Sequence, residues 1–173
     1  MPYNMKIEFR QLSIDCGMDE YLMLQGIGSD EYGFTNEVNG MSFDEYKQWL
    51  IQQDDYSKAR NLPEHFIPQT TYFLYVNARP VGLARIGHDS SDELEKRGVG
   101  NFGYGIAKPY RGKGYGNALF AHVKAACKEL GYAKIKSFVH IENAASNRVL
   151  LKNGAKQIGI YNGEKIIYET IIE

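Results

Sequence analysis

The chain has 173 residues, of which 20 are Lys or Arg and 21 are Asp or Glu, so its formal net charge at pH 7 is −1. A charge this small excludes an overall electrostatic attraction to nucleic acid or to an anionic membrane, so any anion must bind at a local site. The hydrophobic fraction of 43% and the charged fraction of 24% are typical of a globular protein, and the length predicts one domain over residues 1–173.

The cysteines and the N-terminal residues indicate the cellular compartment of the protein. Cys16 and Cys127 lie far apart, and Cys127 falls on the apolar face of a predicted helix, which favours reduced cysteines over a disulfide. The first residues contain no long apolar run before their charges, so neither a signal peptide nor a transmembrane segment is expected. We therefore predict a cytoplasmic protein.

The first part of the chain is predicted to contain a strand and two helices. The strand covers residues 6–12, and Asp19–Leu24 forms the first helix. Residues 26–40 are rich in glycine and poor in aliphatic side chains, which predicts a long loop. Ser42-Phe43-Asp44-Glu45 is a capping box, so the second helix is expected to run from there to about Ser57.

A β-hairpin is predicted in the middle of the chain. Gln69–Asn77 is rich in β-branched and aromatic residues, and a second strand over Val81–Ile86 follows the turn at residues 77–80. Residues 88–98 come next and are expected to form a polar, acidic loop.

The second half of the chain alternates strands with helices. In chain order the predicted elements are a strand over 99–106, a helix that ends at Leu130 before Gly131, a strand over Lys134–His140, a helix from Asn143 or Ala144 to Asn153-Gly154, and a hairpin of Gln157–Tyr161 with Lys165–Ile171. The helix between the strands at 99–106 and 134–140 is long enough for a crossover, which makes these strands a parallel pair. The fold class is therefore mixed α/β.

The segment Arg111-Gly112-Lys113-Gly114-Tyr115-Gly116-Asn117 lies between a predicted strand and a predicted helix. Main-chain amides at such a helix start bind anions, and glycine allows the close approach of a phosphate. Arg111 and Lys113 add positive charge. The dinucleotide fingerprint does not fit, because it would need glycine at Asn117, and no Gly-Lys-Ser/Thr follows as in a P-loop.

Two motifs carry a resemblance to a known family. The first is Arg-x-x-Gly-x-Gly at Arg111, Gly114 and Gly116, and the second is the segment Asn143–Gly154, with Asn-x-x-Ser at its start and Lys-x-Gly at its end. This pair, at this spacing, resembles the GCN5-related N-acetyltransferase (GNAT) superfamily. The N-terminal half is similar to a bacterial branch of predicted acetyltransferases.

The resemblance implies a GNAT fold with a central, largely antiparallel sheet, one parallel splayed strand pair, and about four flanking helices. It implies acetyl-CoA as co-substrate, held over residues 99–155, and no metal. The pantetheine arm would pair with the strand edge that Gly103 and Gly105 keep open, and a free amide there would stabilise the oxyanion. The cofactor-binding residues it implies are Tyr104, Gly105, Ile106, Arg111, Gly112, Lys113, Gly114, Tyr115, Gly116, Asn117, Asn143 and Ser146.

The implied reaction is direct transfer of the acetyl group to a primary amine of a small molecule or peptide, held by residues 20–65 and 87–98. Family members often place glutamates at the positions of Asn101 and Phe138, and a tyrosine at that of Leu150, so the usual base and acid are missing here. Catalysis is then expected to rest on positioning and a water relay. The candidate catalytic residues are Asn101, His140 and Glu142, with His88 as a weaker one.

Other interpretations remain open at this point. Each candidate catalytic residue can equally be structural or solvated, and the missing base and acid also suit a non-catalytic acyl-CoA-binding or sensor module. A third possibility is a different nucleotide-phosphate site on an unrelated fold. The acidic residues at 89–95 either form a solvated loop or attract a positively charged acceptor. No nucleic acid or membrane partner is expected. A homodimer is predicted only because members of the family often form one.

Overall fold

The structure is a computed structural model that describes residues 4–89 and 92–173. Five α-helices lie in this part of the chain: α1 Met18–Gln25, α2 Phe43–Ser57, α3 Asp92–Lys96, α4 Tyr115–Glu129 and α5 Ala144–Lys152. The strands are β1 Ile7–Gln11, β2 Asp30–Glu31, β3 Phe34–Thr35, β4 Gln69–Val76, β5 Arg79–Gly87, β6 Phe102–Ile106, β7 Lys134–His140, β8 Lys156–Tyr161 and β9 Lys165–Ile171. A 3-10 turn, Lys108–Tyr110, leads from β6 towards α4.

Most of the predicted elements are confirmed, with ends that differ by up to three residues, the largest difference being the start of β6 at Phe102 rather than at residue 99. The capping box is present, because Ser42 Oγ accepts the Glu45 amide at 3.2 Å and the Glu45 carboxylate accepts the Ser42 amide at 3.4 Å. The terminal hairpin turns at Asn162-Gly163 as predicted, and both residues adopt positive φ. The turn predicted over residues 77–80 is shorter, since only Asn77 and Ala78 form it and Arg79 already begins β5.

Two predicted loops contain regular structure. The loop expected at 26–40 holds the β2–β3 hairpin, whose strands are two residues each and too short to produce an alternating pattern. The loop expected at 88–98 holds the five-residue helix α3, and its residues 90 and 91 lie outside the described residues. Both corrections concern elements that are held by contacts with distant strands.

The strands form two larger sheets and the small hairpin. One sheet has the order β1-β4-β5-β6 and the other β7-β9-β8, and every described ladder is antiparallel. The predicted parallel pairing of β6 with β7 is not confirmed as a ladder. The two strands instead meet at one junction, where the Asn101 amide donates to the Lys136 carbonyl at 3.0 Å and the Asn101 side-chain oxygen accepts the Lys136 amide at 2.7 Å.

The hydrogen bonds at this junction leave a gap between the sheets. Both strands run onward from the junction, and in the described chain no ladder joins them beyond it. The side-chain oxygen of Asn101 stands where a neighbouring strand would offer a carbonyl, so it closes the gap at one end. The gap is therefore open towards Ile106 and His140.

Helices cover both faces of the first sheet. Residues that pair directly in an antiparallel ladder project to the same face. The core under α1 and α2 is built from residues such as Leu24, Ile27, Tyr46, Leu50, Phe73 and Leu83. The core under α4 and α5 is built from residues such as Leu74, Ile86, Phe120, Val123, Ile135 and Tyr168. The gap can thus be reached from an α1–α2 face and an α4–α5 face.

The cysteines are unpaired, as predicted. Cys127 is fully buried in the α4 core, and burial raises the pKa of its thiol to about 12, so it stays protonated and unreactive.

In residues 4–89 and 92–173, no helix has the length and apolar character needed to cross a bilayer.

The Asn101 side chain should matter for stability. Asn101→Ala removes the acceptor of the Lys136 amide, so we expect the free energy of unfolding to fall by about 1 kcal/mol. Exchange of the Lys136 amide hydrogen should also become faster. Asn101→Asp keeps an acceptor oxygen and should retain most of the protection. Unchanged exchange in Asn101→Ala would contradict this role.

Candidate active site

The open edge of β6 supplies unpaired main-chain groups to the gap. Ala107 donates its amide to Val81 on β5 at 2.9 Å, and alternate residues of a strand point their amides to opposite sides. The amides of Tyr104 and Ile106 therefore point away from β5, towards β7. No strand pairs with this edge in the described residues, so an extended ligand can pair there.

The glycine loop lies where β6 leads into α4. Gly112 has φ +75° and Gly114, the N-terminal cap of α4, has φ +84°, a conformation that favours glycine. In the part of the chain that the structure describes, the main-chain amides of residues 112–117 donate to no protein acceptor. Free amides at the start of a fifteen-residue helix form an anion-binding site.

Arg111 attaches the glycine loop to two other elements. Its Nε donates to the Ile106 carbonyl at 2.8 Å, and its guanidinium forms an ion pair with the Glu31 carboxylate of β2. The other Glu31 oxygen accepts the Gly28 amide at 3.0 Å. The loop, the β6 edge and the β2–β3 hairpin are therefore held together by one guanidinium.

The start of α5 lies on the α4–α5 side of the gap. Asn143 caps α5, because its side-chain oxygen accepts the Ser146 amide at 3.2 Å. Tyr104 donates its hydroxyl hydrogen to Ser146 Oγ at 3.1 Å, and burial raises the pKa of Tyr104, so the hydroxyl remains protonated. The structure thus brings Tyr104 together with two other predicted cofactor-binding residues, Asn143 and Ser146, although Tyr104 and Ser146 are 42 positions apart in sequence.

The end of α5 also contacts the glycine loop region. The Asn153 side chain donates to the Asn117 side-chain oxygen at 2.9 Å, which joins the first turn of α4 to the last turn of α5. A Cβ at Gly116 would lie 3.2 Å from Val149, so the two helices are in close contact there. The two sequence motifs therefore form one continuous surface.

The β2–β3 hairpin lies over the gap on the α1–α2 face. The Phe34 ring lies against β6, where a Cβ at Gly103 or Gly105 would come within 3.1 or 3.2 Å of it. At the other side of the gap, a Cβ at Gly33 would be 3.5 Å from His140 Nε2. Gly103 and Gly105 were expected to keep the strand edge open for a ligand, whereas in the structure their bare Cα atoms make room for Phe34.

Comparisons with known proteins agree with this geometry. The sequence model of the acetyltransferase (GNAT) domain matches residues 29–156, which is most of the chain. The chain belongs to the GNAT acetyltransferase family. No curated protein matches it by sequence.

Solved structures of GNAT proteins share the fold at low sequence identity. An acetyltransferase of the GNAT family from Streptococcus pneumoniae is 18% identical, with a TM-score of 0.61 over 97% of this chain and 100% of that chain. The yncA protein from Salmonella typhimurium, solved with its cofactor acetyl-CoA, is 16% identical, with a TM-score of 0.60 over 96% and 94%. The PaiA N-acetyltransferase from Thermoplasma acidophilum, solved with coenzyme A, is 18% identical, with a TM-score of 0.61 over 96% and 99%.

The candidate catalytic residues of this GNAT domain occupy different places. Asn101 closes the narrow end of the gap with its side chain. His140 is half-buried at the end of β7, with its ring centroid 6.3 Å from that of Tyr32. Glu142 is exposed in the turn before α5. His140 is thus the candidate that contacts the hairpin at the wide end of the gap.

The positions where family members often carry acid–base residues are occupied by packing residues. Leu150 is fully buried, and the Phe138 ring packs edge-to-face on Tyr161 with centroids 5.6 Å apart.

Among the described residues, no three His, Cys, Asp or Glu side chains are grouped so that they could hold a metal ion.

Tyr32 and Phe34 of the short hairpin line the α1–α2 side of the site, and both fall within the acceptor region predicted over residues 20–65. Sequence reasoning missed a third residue on this side, Arg85. Arg85 pairs with Gly103 in the β5–β6 register, and its guanidinium carbon lies 4.4 Å from the Phe34 ring centroid. The signal available in the sequence was a charged residue inside an otherwise apolar predicted strand.

His88 yields a prediction about pH. Its Nε2 shares a 2.6 Å hydrogen bond with the Thr70 hydroxyl, and burial lowers the pKa of His88 below its ordinary value. A histidine with a lowered folded pKa stabilises the fold above its unfolded pKa of about 6.5, and this contribution is lost as pH falls through the folded value. His88→Gln should therefore lose less stability than the wild type between pH 7.5 and 5.

The measurement is the urea midpoint at both pH values. His65→Gln is the matched control, because the His65 side chain is 71% exposed. An acid-induced loss in His88→Gln equal to that of the wild type would contradict the prediction.

Proposed function

We propose that the protein is an acetyl-CoA-dependent N-acetyltransferase that moves the acetyl group to a primary amine by direct attack. The observation that carries the proposal is the set of free amides at residues 112–117, continuous with the open edge of β6. This arrangement suits a ligand with a pyrophosphate followed by an extended, amide-containing arm. Relatives of the same fold solved with acetyl-CoA or coenzyme A support it.

The residues that would hold acetyl-CoA are those of the glycine loop, the β6 edge and the start of α5. The amides of residues 112–117 would bind the pyrophosphate, and those of Tyr104 and Ile106 would pair with the arm. Acetyl-CoA supplies an acetyl thioester whose carbonyl oxygen gains negative charge when an amine attacks. A β6 amide aimed into the gap would stabilise that charge.

The attacking amine must be neutral. An alkyl amine has a pKa near ~10.4, so on the order of one molecule in a thousand is neutral at pH 7. With Phe138 and Leu150 at the usual positions of acid–base residues, the chain would rely on positioning and on water that transfers the proton. The departing thiol has a pKa near ~8.5, so it needs less help from an acid.

A second candidate is a non-catalytic acyl-CoA-binding module. The observation that favours it is the packing of Phe138 and Leu150 at those positions. Such a module would bind acetyl-CoA and acetylate none of the amines offered. The cytoplasmic location, a homodimer, and an acceptor region over residues 20–65 and 87–98 stay predictions.

Replacing Gly114 with Val should lower the affinity for acetyl-CoA about 10-fold or more, because a β-branched residue resists the left-handed conformation that aims the loop amides. Gly131→Val is the matched control, since Gly131 has φ +90° and open space around it at the other end of α4. Both variants should lose similar stability, and only Gly114→Val should lose binding.

The measurement is the thermal shift with acetyl-CoA, ATP and NAD as probes. Acetyl-CoA at about 100 times its Kd should stabilise the wild type by about 2.7 kcal/mol. A larger shift with ATP or NAD would overturn the proposed donor.

Alanine variants at the candidate relay residues should separate catalysis from binding. We expect His140→Ala to lower kcat about 100-fold, in line with loss of a proton-transfer group, with little change in acetyl-CoA affinity. Asn101→Ala should lower stability and kcat together, and Glu142→Ala should have a smaller effect. If all three variants keep the wild-type kcat with a panel of amines, the water relay is wrong.

A further inference from the structure

On the α1–α2 side of the gap, Arg85 and Lys165 form no ion pair with any of the described residues, and these two cations bear on the identity of the acceptor. We propose that the acceptor is an amine that also carries a carboxylate, and that Arg85 binds this carboxylate. The inference rests on the proposed N-acetyltransferase function. It concerns the acceptor side of the gap, whereas the glycine loop and the β6 edge concern the donor.

The position of Arg85 follows from the strand register. Arg85 on β5 pairs with Gly103 on β6, and both residues project towards the α1–α2 face. Because Gly103 has no side chain, the Phe34 ring packs against it and also lies over the Arg85 guanidinium. Arg85 is thus one strand away from the edge where the amine would attack.

Hydrogen bonding leaves most of the Arg85 guanidinium available. It donates to the Thr35 carbonyl, whereas a guanidinium has five N–H donors. In the described residues Arg85 forms no ion pair. Burial lowers the pKa of Arg85, and the negative charge of the exposed Glu37 acts in the opposite direction. Arginine stays charged even so, and a half-buried charge without a counter-ion is costly.

Lys165 is placed similarly on the other side of the gap. It pairs with His140 in the β7–β9 register, and its Nζ donates to the Gly98 carbonyl at 3.2 Å. A Cβ at Gly33 would lie 3.9 Å from this Nζ, so Lys165 is also under the hairpin. No carboxylate of the described residues forms an ion pair with Lys165.

Three of the carboxylates near this face are already paired. Glu31 pairs with Arg111, Glu95 lies 3.2 Å from Lys136, and Glu93 lies 3.9 Å from Arg97. Two glutamates of the acidic loop are therefore already paired, which weakens its attraction for a polyamine. Glu37 is exposed and acts on Arg85 through its charge without forming an ion pair with it, so in the described residues Arg85 and Lys165 are cations near the gap that contact no carboxylate directly.

A carboxylate on the acceptor would complete this arrangement. The planar guanidinium matches the two oxygens of a carboxylate, with which it would form two charge-assisted hydrogen bonds. A second positive charge on the acceptor would instead be repelled by Arg85 and Lys165. Amino acids and short acidic peptides have the predicted chemistry, whereas diamines and polyamines do not.

The test compares matched acceptors. The panel consists of amino acids, their carboxamides and their decarboxylated amines, assayed as kcat/KM at saturating acetyl-CoA. We expect the wild type to prefer the carboxylated member of a pair by about 10- to 100-fold. Arg85→Gln should abolish this preference, Arg85→Lys should keep part of it, and Lys165→Gln should reduce it.

The ratio within a pair is the decisive readout, because loss of the Thr35 contact alone would lower turnover of both members equally. Arg79→Gln is the matched control. Arg79 is exposed on the same strand and lines a separate groove beside α1, so this variant should keep the wild-type ratio. Thermal shift with acetyl-CoA should be unchanged in Arg85→Gln.

Two results would overturn the inference. One is a wild type that prefers carboxamides, amines or polyamines, and the other is an Arg85→Gln variant that keeps the preference for carboxylates. If acetyl-CoA binds and no compound is acetylated, the proposed catalysis fails. Binding of the same pairs in the presence of coenzyme A then tests Arg85, and equal binding of both members refutes its role.

Discussion

The site depends on the way in which two sheets are joined at a single point. Asn101 uses its main-chain amide and its side-chain oxygen to bind both polar groups of Lys136, so the junction is closed without a continuous ladder. If pairing continued along β6 and β7, the amides of Tyr104 and Ile106 would be consumed by strand hydrogen bonds. Because pairing stops, these amides remain available, and the sheets enclose a gap that can be reached from both faces.

The two faces of the gap present different chemical groups, and Arg111 connects them. On the α4–α5 face, the glycine loop and the cap of α5 present main-chain amides and a pair of hydroxyl groups. On the α1–α2 face, the β2–β3 hairpin spans the gap from Phe34 to Gly33. Arg111 belongs to the glycine loop, yet it binds Glu31 of the hairpin. One side chain thus joins the glycine loop to the hairpin that lies over the gap on the α1–α2 face.

The charges around the gap suit positioning rather than acid–base catalysis by carboxylates. Asn101, Phe138 and Leu150 occupy the places where family members often carry glutamates and a tyrosine, and two of the three are packing residues. In the described residues, the cations Arg85 and Lys165 on the α1–α2 side form no ion pair. Cations hold an anionic substrate in place, and binding energy used to orient a substrate lowers the barrier to attack. The polar residue nearest the hairpin at the wide end is His140.

Local patterns in the sequence determined the glycine loop, the capping box at Ser42, the β4–β5 turn and the cap of α5, because each is fixed by residues within a few positions of one another. The family, and with it the donor side, followed from two such motifs. Tertiary structure alone decided that Phe34 fills the space above Gly103 and Gly105, that the parallel pair is reduced to one junction, and that Arg85 lies beside the gap. These features arise from contacts between residues tens of positions apart. The two-residue strands of the hairpin have no period of their own, and the partner of a charged side chain is set by what packs around it.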